Sequence, residues 1–138
     1  VKNKLLEKKY VDTMRKFYFL AAALFFIIGA AQAATKAPPI TEPKLSGKLM
    51  LGKLAFGSYC AECHGEQGGG TDKGPPFLHR VYHPGHHADG SFYRAAKSGA
   101  RAHHWKFGDM APVPKVTDPQ LENIVKYIRA LQQANGLF

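Results

Sequence analysis

The residues best suited to chemistry in this chain lie together at Cys60, Cys63 and His64, in the sequence Cys-Ala-Glu-Cys-His. The chain contains no other cysteine. This spacing is typical of a c-type haem attachment site, where two thiols bond to one haem and the adjacent histidine ligates its iron. The motif therefore predicts that Cys60 and Cys63 bind haem c covalently and that His64 is an axial ligand.

Three other interpretations of the two cysteines remain open. A thioredoxin-like redox pair would use Cys60 and Cys63 but would give His64 no role. A structural disulfide across so short a loop would constrain the unfolded chain little. A zinc site would combine the two thiols with imidazoles, a common mixed ligand set for that ion. The imidazoles available for it are those of His83, His86 and His87.

The beginning of the chain resembles a secretory leader. A short basic stretch at residues 14–16 precedes an uncharged apolar run at residues 17–30, and small residues follow at 31–33. This order predicts a signal peptide over residues 1–33, cut after Ala33, with translation starting at Met14. Because the apolar run is shorter than the ~20 residues of a membrane-spanning helix, an uncleaved anchor is the second interpretation.

The rest of the chain is expected to form one domain. The proline-rich residues 34–45 predict a flexible lead-in, and residues 46–138 predict the folded domain. The chain carries a formal net charge of +9. Its basic residues are scattered rather than clustered among aromatics, which argues against nucleic-acid binding.

Three helices are expected in this domain. The first begins near Ser46 as N-cap and runs into Cys60, with one apolar face. That face comprises Leu51, Leu54, Ala55 and Tyr59. A short helix follows, with Asp89 as its expected N-cap and Gly99 at its end. The last helix starts at a capping box formed by Thr117 and Gln120 and ends at Asn135-Gly136. The connecting loops are long for a small domain, which is acceptable if they wrap around a haem.

Met110 is the predicted second axial ligand of the iron. It lies well downstream of His64 between a glycine and a proline, whereas Met14 lies in the leader and Met50 on the helix that delivers the motif. Thioether ligation raises the reduction potential of a haem. Two alternatives remain open. Met110 could simply fill a gap in the core, or a histidine could ligate the iron instead. The competing histidines are His79, His83, His86, His87, His103 and His104, of which the last two lie closest in sequence to Met110.

Together these fragments resemble class I cytochromes c over most of the chain after the leader. Gly52 and Phe56 resemble the family's lead into the haem motif, and Tyr127 resembles the aromatic residue that faces this glycine where the first and last helices cross. Gly74-Pro75 resembles the family's Gly-Pro, whose carbonyl accepts a hydrogen bond from the axial histidine. The resemblance therefore implies that Pro75 orients His64.

The segment around Met110 adds to this resemblance. Gly108-x-Met110-x-Pro112 is similar to the family's methionine loop. His103-His104-Trp105 resembles a subgroup of small bacterial monohaem cytochromes. Pro76-Phe77-Leu78 departs from the commonest family pattern, which is a shorter Asn-Leu.

The resemblance implies an all-α, small cytochrome c fold, with three to four helices and long loops around one covalently bound haem. It also implies a soluble electron carrier rather than an enzyme. The carrier would be periplasmic, because thioether attachment of haem takes place outside the cytoplasm. Its partners would be transient redox proteins that are acidic at the contact face, with no stable membrane span unless the leader is uncleaved. The alternatives are a haem enzyme or sensor with a displaceable Met110, a cytochrome subunit of an oxidoreductase, and a histidine-rich metal-handling protein.

The remaining histidines and Trp105 support two narrower hypotheses. Imidazole suits both copper and zinc. His83, His86 or His87 could thus form a second metal site with His103 or His104, although solvated surface histidines are the simpler interpretation. Contacts to the haem propionates are the second hypothesis. The residues proposed for them are Trp105, Arg101 and Arg94.

Overall fold

The computed structural model describes residues 10–15 and 39–138. The chain divides into two compact units, Val1–Pro38 and Pro39–Phe138. Residues 10–15 of the first unit are helical. The rest of the predicted leader, including its apolar run and its cleavage site after Ala33, lies outside the described residues. Within the described part of the chain, no helix is long and apolar enough to cross a membrane.

The second unit is built from helices joined by long loops, and we label its helices from residue 48 onward. Helix α1 spans Lys48–Tyr59, α2 Ala61–His64, α3 Asp89–Ser98 and α4 Asp118–Ala134, with a 3₁₀ turn at Arg80–Tyr82. Outside these helices, the described residues contain one isolated antiparallel bridge and no strand. The all-α class and the three predicted helices are confirmed.

The core forms where α1 crosses α4. A Cβ atom added to Gly52 would overlap the backbone carbonyl of Asn123 and lie 2.9 Å from Cβ of Tyr127. One turn further along α1, the fully buried Phe56 packs on the Tyr127 ring with centroids 5.6 Å apart. The close crossing implied by the resemblance is therefore present, since only a residue without a side chain fits at position 52.

The start and the buried face of α1 differ from the prediction. Gly47, with φ of 49°, is the N-cap instead of Ser46, because glycine adopts this backbone conformation without strain. Leu51 and Leu54 are 56% and 62% exposed. Ala55 is buried as predicted and Tyr59 packs against the core, but the other buried residues of the helix are Gly52 and Phe56. Gly52, which allows α4 to approach closely, thus determines which face of α1 is buried. Leu51 and Leu54 remain exposed on the other side.

The ends of α3 and α4 follow the sequence signals closely. Thr117 and Gln120 form the capping box at the start of α4, and Asn135 is its C-cap. Gly99, with φ of 78°, ends α3. Asp89 is the first residue of α3 and Ala88 its N-cap. The carboxylate of Asp89 pairs with Arg129 of α4 instead, at 2.7 Å.

Residues 39–45, part of the predicted flexible lead-in, lie against this unit. Thr41 exchanges two hydrogen bonds of 2.8 Å with the Asn135 side chain. Glu42 accepts hydrogen bonds of 2.9 Å from Tyr127 and Gln67 and pairs with Lys53 at 3.2 Å. Burial alone would raise the pKa of Glu42, but these contacts outweigh it and lower the pKa. The segment therefore fastens α1 to α4 through an ionised carboxylate.

Substituting Gly52 tests the helix crossing. In Gly52→Ala the new methyl group meets the α4 backbone, so we expect α1 and α4 to separate and the free energy of unfolding to fall by about 1–3 kcal/mol. Gly57→Ala is the matched control, because a Cβ atom at Gly57 on the same helix meets nothing within 4 Å. It should be neutral or stabilise by about 0.5–1 kcal/mol. Denaturant unfolding of both variants measures this, and equal effects would contradict a steric role for Gly52.

Candidate functional site

Cys60, Cys63 and His64 lie at the junction of α1 and α2. The amide of Cys60 donates to Phe56 O at 2.8 Å and ends α1, and the amides of Cys63 and His64 then donate to Cys60 O at 3.3 and 3.0 Å. Both thiols are free, with Cys60 half-buried and Cys63 exposed. One helical turn anchored on the α1–α4 core thus carries two thiols and an imidazole.

The ionisation of Cys60 does not match a thiol–disulfide catalyst. Burial raises the pKa of the Cys60 thiol to about 11, and the nearby Cys63 adds to this rise. Redox-active Cys-x-x-Cys pairs need a thiolate, which their surroundings favour by lowering the pKa. The environment of Cys60 therefore disfavours the thioredoxin-like interpretation.

His64 is buried and oriented by a single hydrogen bond. Its Nδ1 donates to the carbonyl oxygen of Pro75 at 2.9 Å, and its ring stacks on Phe77 with centroids 4.2 Å apart. Burial lowers the pKa of His64, and the bond to Pro75 offsets part of that shift. Because a carbonyl only accepts, the proton of the neutral ring resides on Nδ1. The lone pair on Nε2 is then free to bind a metal.

The loop that carries Pro75 is packed directly against α2. The amide of Gly70 donates to His64 O at 2.7 Å, and the amide of Thr71 donates to Gly74 O at 3.0 Å. A Cβ atom at Gly74 would lie 2.8 Å from Cys63 O. Glycine at position 74 therefore permits the close approach that brings the Pro75 carbonyl to His64.

Gln132 of α4 supports this loop, a role that the sequence analysis missed. Its side chain is fully buried, its Nε2 donates to Phe77 O at 2.8 Å, and its Oε1 accepts from Arg129 at 2.7 Å. Helical periodicity could have predicted that Gln132 is buried, since it follows Ile128 by four residues and so continues the buried face of α4. A polar residue on a buried face needs partners, and here the partner is the backbone of the residue that stacks on His64.

Met110 is anchored beside the end of α3. It forms the antiparallel bridge with Ala100, with hydrogen bonds of 2.8 and 3.0 Å, and Val113 donates to Ala96 O at 2.8 Å. Met110 is half-buried, whereas Met50 is 42% exposed on α1. Met110 is therefore the sheltered thioether of the second unit, on a loop held by backbone pairing.

Three histidines come together away from the cysteines. Among residues 10–15 and 39–138, one group of at least three His, Cys, Asp or Glu residues could hold a metal ion, and it consists of His86, His87 and His104. Neither cysteine belongs to it. The structure thus does not assemble the mixed Cys/His zinc site considered from the sequence.

Trp105 has a polar atom without a partner. Its Nε1 is buried and forms no hydrogen bond with the described residues. Burial raises the pKa of Tyr82, and the nearby Trp105 indole offsets part of this rise. The Tyr82 hydroxyl and the indole nitrogen nevertheless do not reach hydrogen-bond geometry. The Tyr82 hydroxyl is thus close to the indole without accepting from it, and the buried N–H is left unsatisfied among the described residues.

Four lysines are candidates for steering acidic partners, namely Lys53, Lys73, Lys97 and Lys106, and most of them are paired with acids. Lys53 pairs with Glu42, Lys73 with Glu62 at 2.8 Å, and Lys97 with Asp118 at 2.6 Å. Lys106 is exposed. Local acids therefore offset much of the positive charge at three of these four positions.

Gln132→Ala tests the support of the Pro75 loop. The change leaves the carbonyl of Phe77 without its donor, so the free energy of unfolding should fall by about 1–3 kcal/mol. Gln133→Ala removes the same side chain from the adjacent, exposed position and should change it by less than about 0.5 kcal/mol. Urea titration measures both values. A loss in Gln132→Ala no larger than in Gln133→Ala would show that Gln132 does not hold this loop.

A family model described as cytochrome c matches residues 49–132. The match covers more than half of the chain and includes both thiols, His64, Pro75 and Met110. No curated protein and no solved structure shows a significant match to the chain.

Proposed function

The chain belongs to the cytochrome c family, and we propose that it is a periplasmic one-electron carrier with one haem c and His/Met axial ligation. Members of this family bind haem through two cysteines and in general transfer electrons rather than catalyse reactions. In our proposal, Cys60 and Cys63 hold the haem and His64 and Met110 ligate its iron. Membership of the His-His-Trp bacterial subgroup, export through residues 1–33 and the lead-in over 34–45 remain predictions.

The orientation of His64 is the observation that carries this proposal. Its ring is neutral, its Nδ1 is committed to Pro75 O, and its Nε2 is free beside two thiols at the spacing that haem attachment requires. Second-shell hydrogen bonds of this kind fix the tautomer and raise the basicity of a ligating imidazole. Two thiols, one imidazole and one sheltered thioether together make the donor set of a c-type haem.

The unpartnered Trp105 indole also fits this group. A buried N–H without an acceptor destabilises a fold by about 1–3 kcal/mol, and a haem propionate is an acceptor that the bound group would bring. Arg101 and Arg94 are exposed and are the further candidates for propionate contact. The residues present therefore fit a haem both at the iron and at its polar edge.

Each residue has a defined part in electron transfer. The haem, when bound, supplies the one-electron chemistry, and the protein sets its potential and access. If His64 and Met110 both ligated the iron, as we propose, no position would remain on it for a substrate. The thioether of Met110 favours the reduced state and raises the potential relative to a second imidazole. Pro75 and Gln132 keep the His64 ring and its stacking partner in place.

The surface beside Cys63 is the proposed face for electron exchange. Cys63 is exposed, and the Glu62–Lys73 pair lies next to it in the motif and its loop. Electron-transfer partners bind weakly over small areas. We expect acidic partners, with association rates that fall as salt rises. Lys106 would contribute most among the four lysines considered, because the other three are paired with acids.

Met110→Ala tests the proposed axial ligation. We expect the purified haem protein to lose the spectrum of low-spin sulfur ligation and to show a lower reduction potential, since the thioether that favours ferrous iron is gone. Met50→Ala, which removes an exposed thioether from α1, should change neither. Visible absorption and redox titration measure both properties. An unchanged spectrum in Met110→Ala would remove Met110 from the site.

Carbon monoxide separates the carrier from a haem enzyme or sensor. With Met110 in place, the reduced protein should bind the gas weakly or slowly at neutral pH, and Met110→Ala should bind it rapidly. Fast stoichiometric binding by the unsubstituted protein would favour the enzyme or sensor instead. The change in the visible spectrum on adding the gas reports each outcome.

A further inference from the structure

The proposed carrier function leaves a cluster of imidazoles unexplained. We define the histidine cluster as His86, His87 and His104, which belong to two different loops. One ring nitrogen from each lies within 4.8 Å of the others. The ring centroids of His86 and His87 are 4.7 Å apart, and those of His86 and His104 are 5.1 Å apart. The proposed axial ligands are His64 and Met110, so the proposed function assigns no role to these three rings.

The spacing of these nitrogens is close to that of a metal site. The Nε2 atoms of His86 and His104 are 3.2 Å apart and share one proton in a hydrogen bond, which a bound ion would replace. Two nitrogens bound to one tetrahedral ion at about 2.0–2.1 Å lie about 3.3 Å apart. The third nitrogen, from His87, lies within 4.8 Å of the other two, so it must move inward by at most about 1.5 Å to reach that spacing. The partners are exposed or half-buried side chains on loops, so rotation of their rings can provide this movement.

The environment of His87 is that of a metal ligand. Its Nδ1 donates to Val81 O at 2.7 Å, which leaves the Nε2 lone pair free. Ligating histidines usually donate their other ring N–H to a carbonyl or carboxylate in this way. The backbone around His87 is also fixed, because its amide donates to His83 O at 2.9 Å and its carbonyl accepts from Arg129. One ligand of the cluster is thus oriented before any ion binds.

Among the residues that the structure describes, no carboxylate belongs to the histidine cluster. The two carboxylates nearest in sequence are engaged elsewhere, Asp89 with Arg129 and Asp109 with the amide of Ala102 at 2.9 Å. The cluster therefore consists of imidazoles alone, with no paired carboxylate among them.

We propose that His86, His87 and His104 bind one divalent first-row transition metal ion, such as Cu²⁺ or Zn²⁺, at the protein surface. Three imidazoles leave one position of a tetrahedral ion for water, as in other three-ligand zinc sites. Neutral nitrogen ligands bind Cu²⁺ more tightly than Zn²⁺.

The site has a structural consequence for the loop that carries Met110. Residues 101–109, which include His104, are closed at their base by the Ala100–Met110 bridge. His86 and His87 lie on the turn held by Arg129. An ion shared by the three rings would tie this loop to that turn. Metal binding should therefore raise the unfolding temperature of the whole protein, since an ion that binds only the folded state stabilises it.

Titration with the metal ions alone tests the proposal. The purified protein, in the state in which it is isolated and freed of metal by a chelator, is titrated with Zn²⁺ and with Cu²⁺ by calorimetry. A parallel sample with any unreacted thiols blocked keeps Cys60 and Cys63 from binding the ions. We expect one ion per chain, tighter binding of Cu²⁺, a rise in melting temperature, and nitrogen ligation in the paramagnetic resonance spectrum of the Cu²⁺ form.

Variants assign the ligands. His87→Ala and His104→Ala should each weaken binding at least tenfold and abolish the rise in melting temperature. His83→Ala is the matched control, because its exposed ring lies on the same turn but bonds to Gly85 N at 3.0 Å and packs near Phe138. It should retain binding. Absence of stoichiometric binding, or an equal loss in His83→Ala, would overturn the proposal. Both results are independent of the haem, so they do not depend on the axial ligation of its iron.

Discussion

The structure depends on the close crossing of α1 and α4 at Gly52. Because the carbonyl of Asn123 occupies the space where a side chain would lie, the two helices approach until Phe56 and Tyr127 are in contact. That contact fixes the direction in which α1 ends, and α1 ends at Cys60. The position of both thiols and of His64 follows from a packing constraint that lies two helical turns away from them.

Helix α4 also holds the long loop between α2 and α3 in place. Gln132 holds the backbone of Phe77, and Arg129 donates to the carbonyls of Tyr82 and His87. These polar side chains hold the loops in place by hydrogen bonds to their backbone, whereas apolar packing holds α1 in place. One helix therefore connects the haem motif, the loop that orients His64 and the turn that carries the histidine cluster. We regard this shared support as the reason why such long loops are ordered in a small domain.

Much of this arrangement could be predicted from local signals. The start of α4 at Thr117 and the end of α3 at Gly99 follow from capping chemistry. The spacing of Cys60, Cys63 and His64 identifies the haem motif. Periodicity alone did not predict the buried face of α1, since it favoured Leu51 and Leu54; the resemblance did, because it placed Gly52 against Tyr127 of the last helix. The sequence also did not predict that Glu42 and Gln132 bridge distant segments, because single polar contacts across the fold leave no periodic pattern. The meeting of His86 with His104 was foreseen only as one of several combinations.

The central claim is that Cys60 and Cys63 bind one haem, and the mass of the intact exported protein tests it most directly. Purified from a host able to attach haem, the protein should have the mass of the polypeptide plus one haem. The same sample should show the visible bands of a low-spin c-type cytochrome, and the haem should remain with the denatured chain. A colourless protein with the mass of the bare polypeptide would contradict the account.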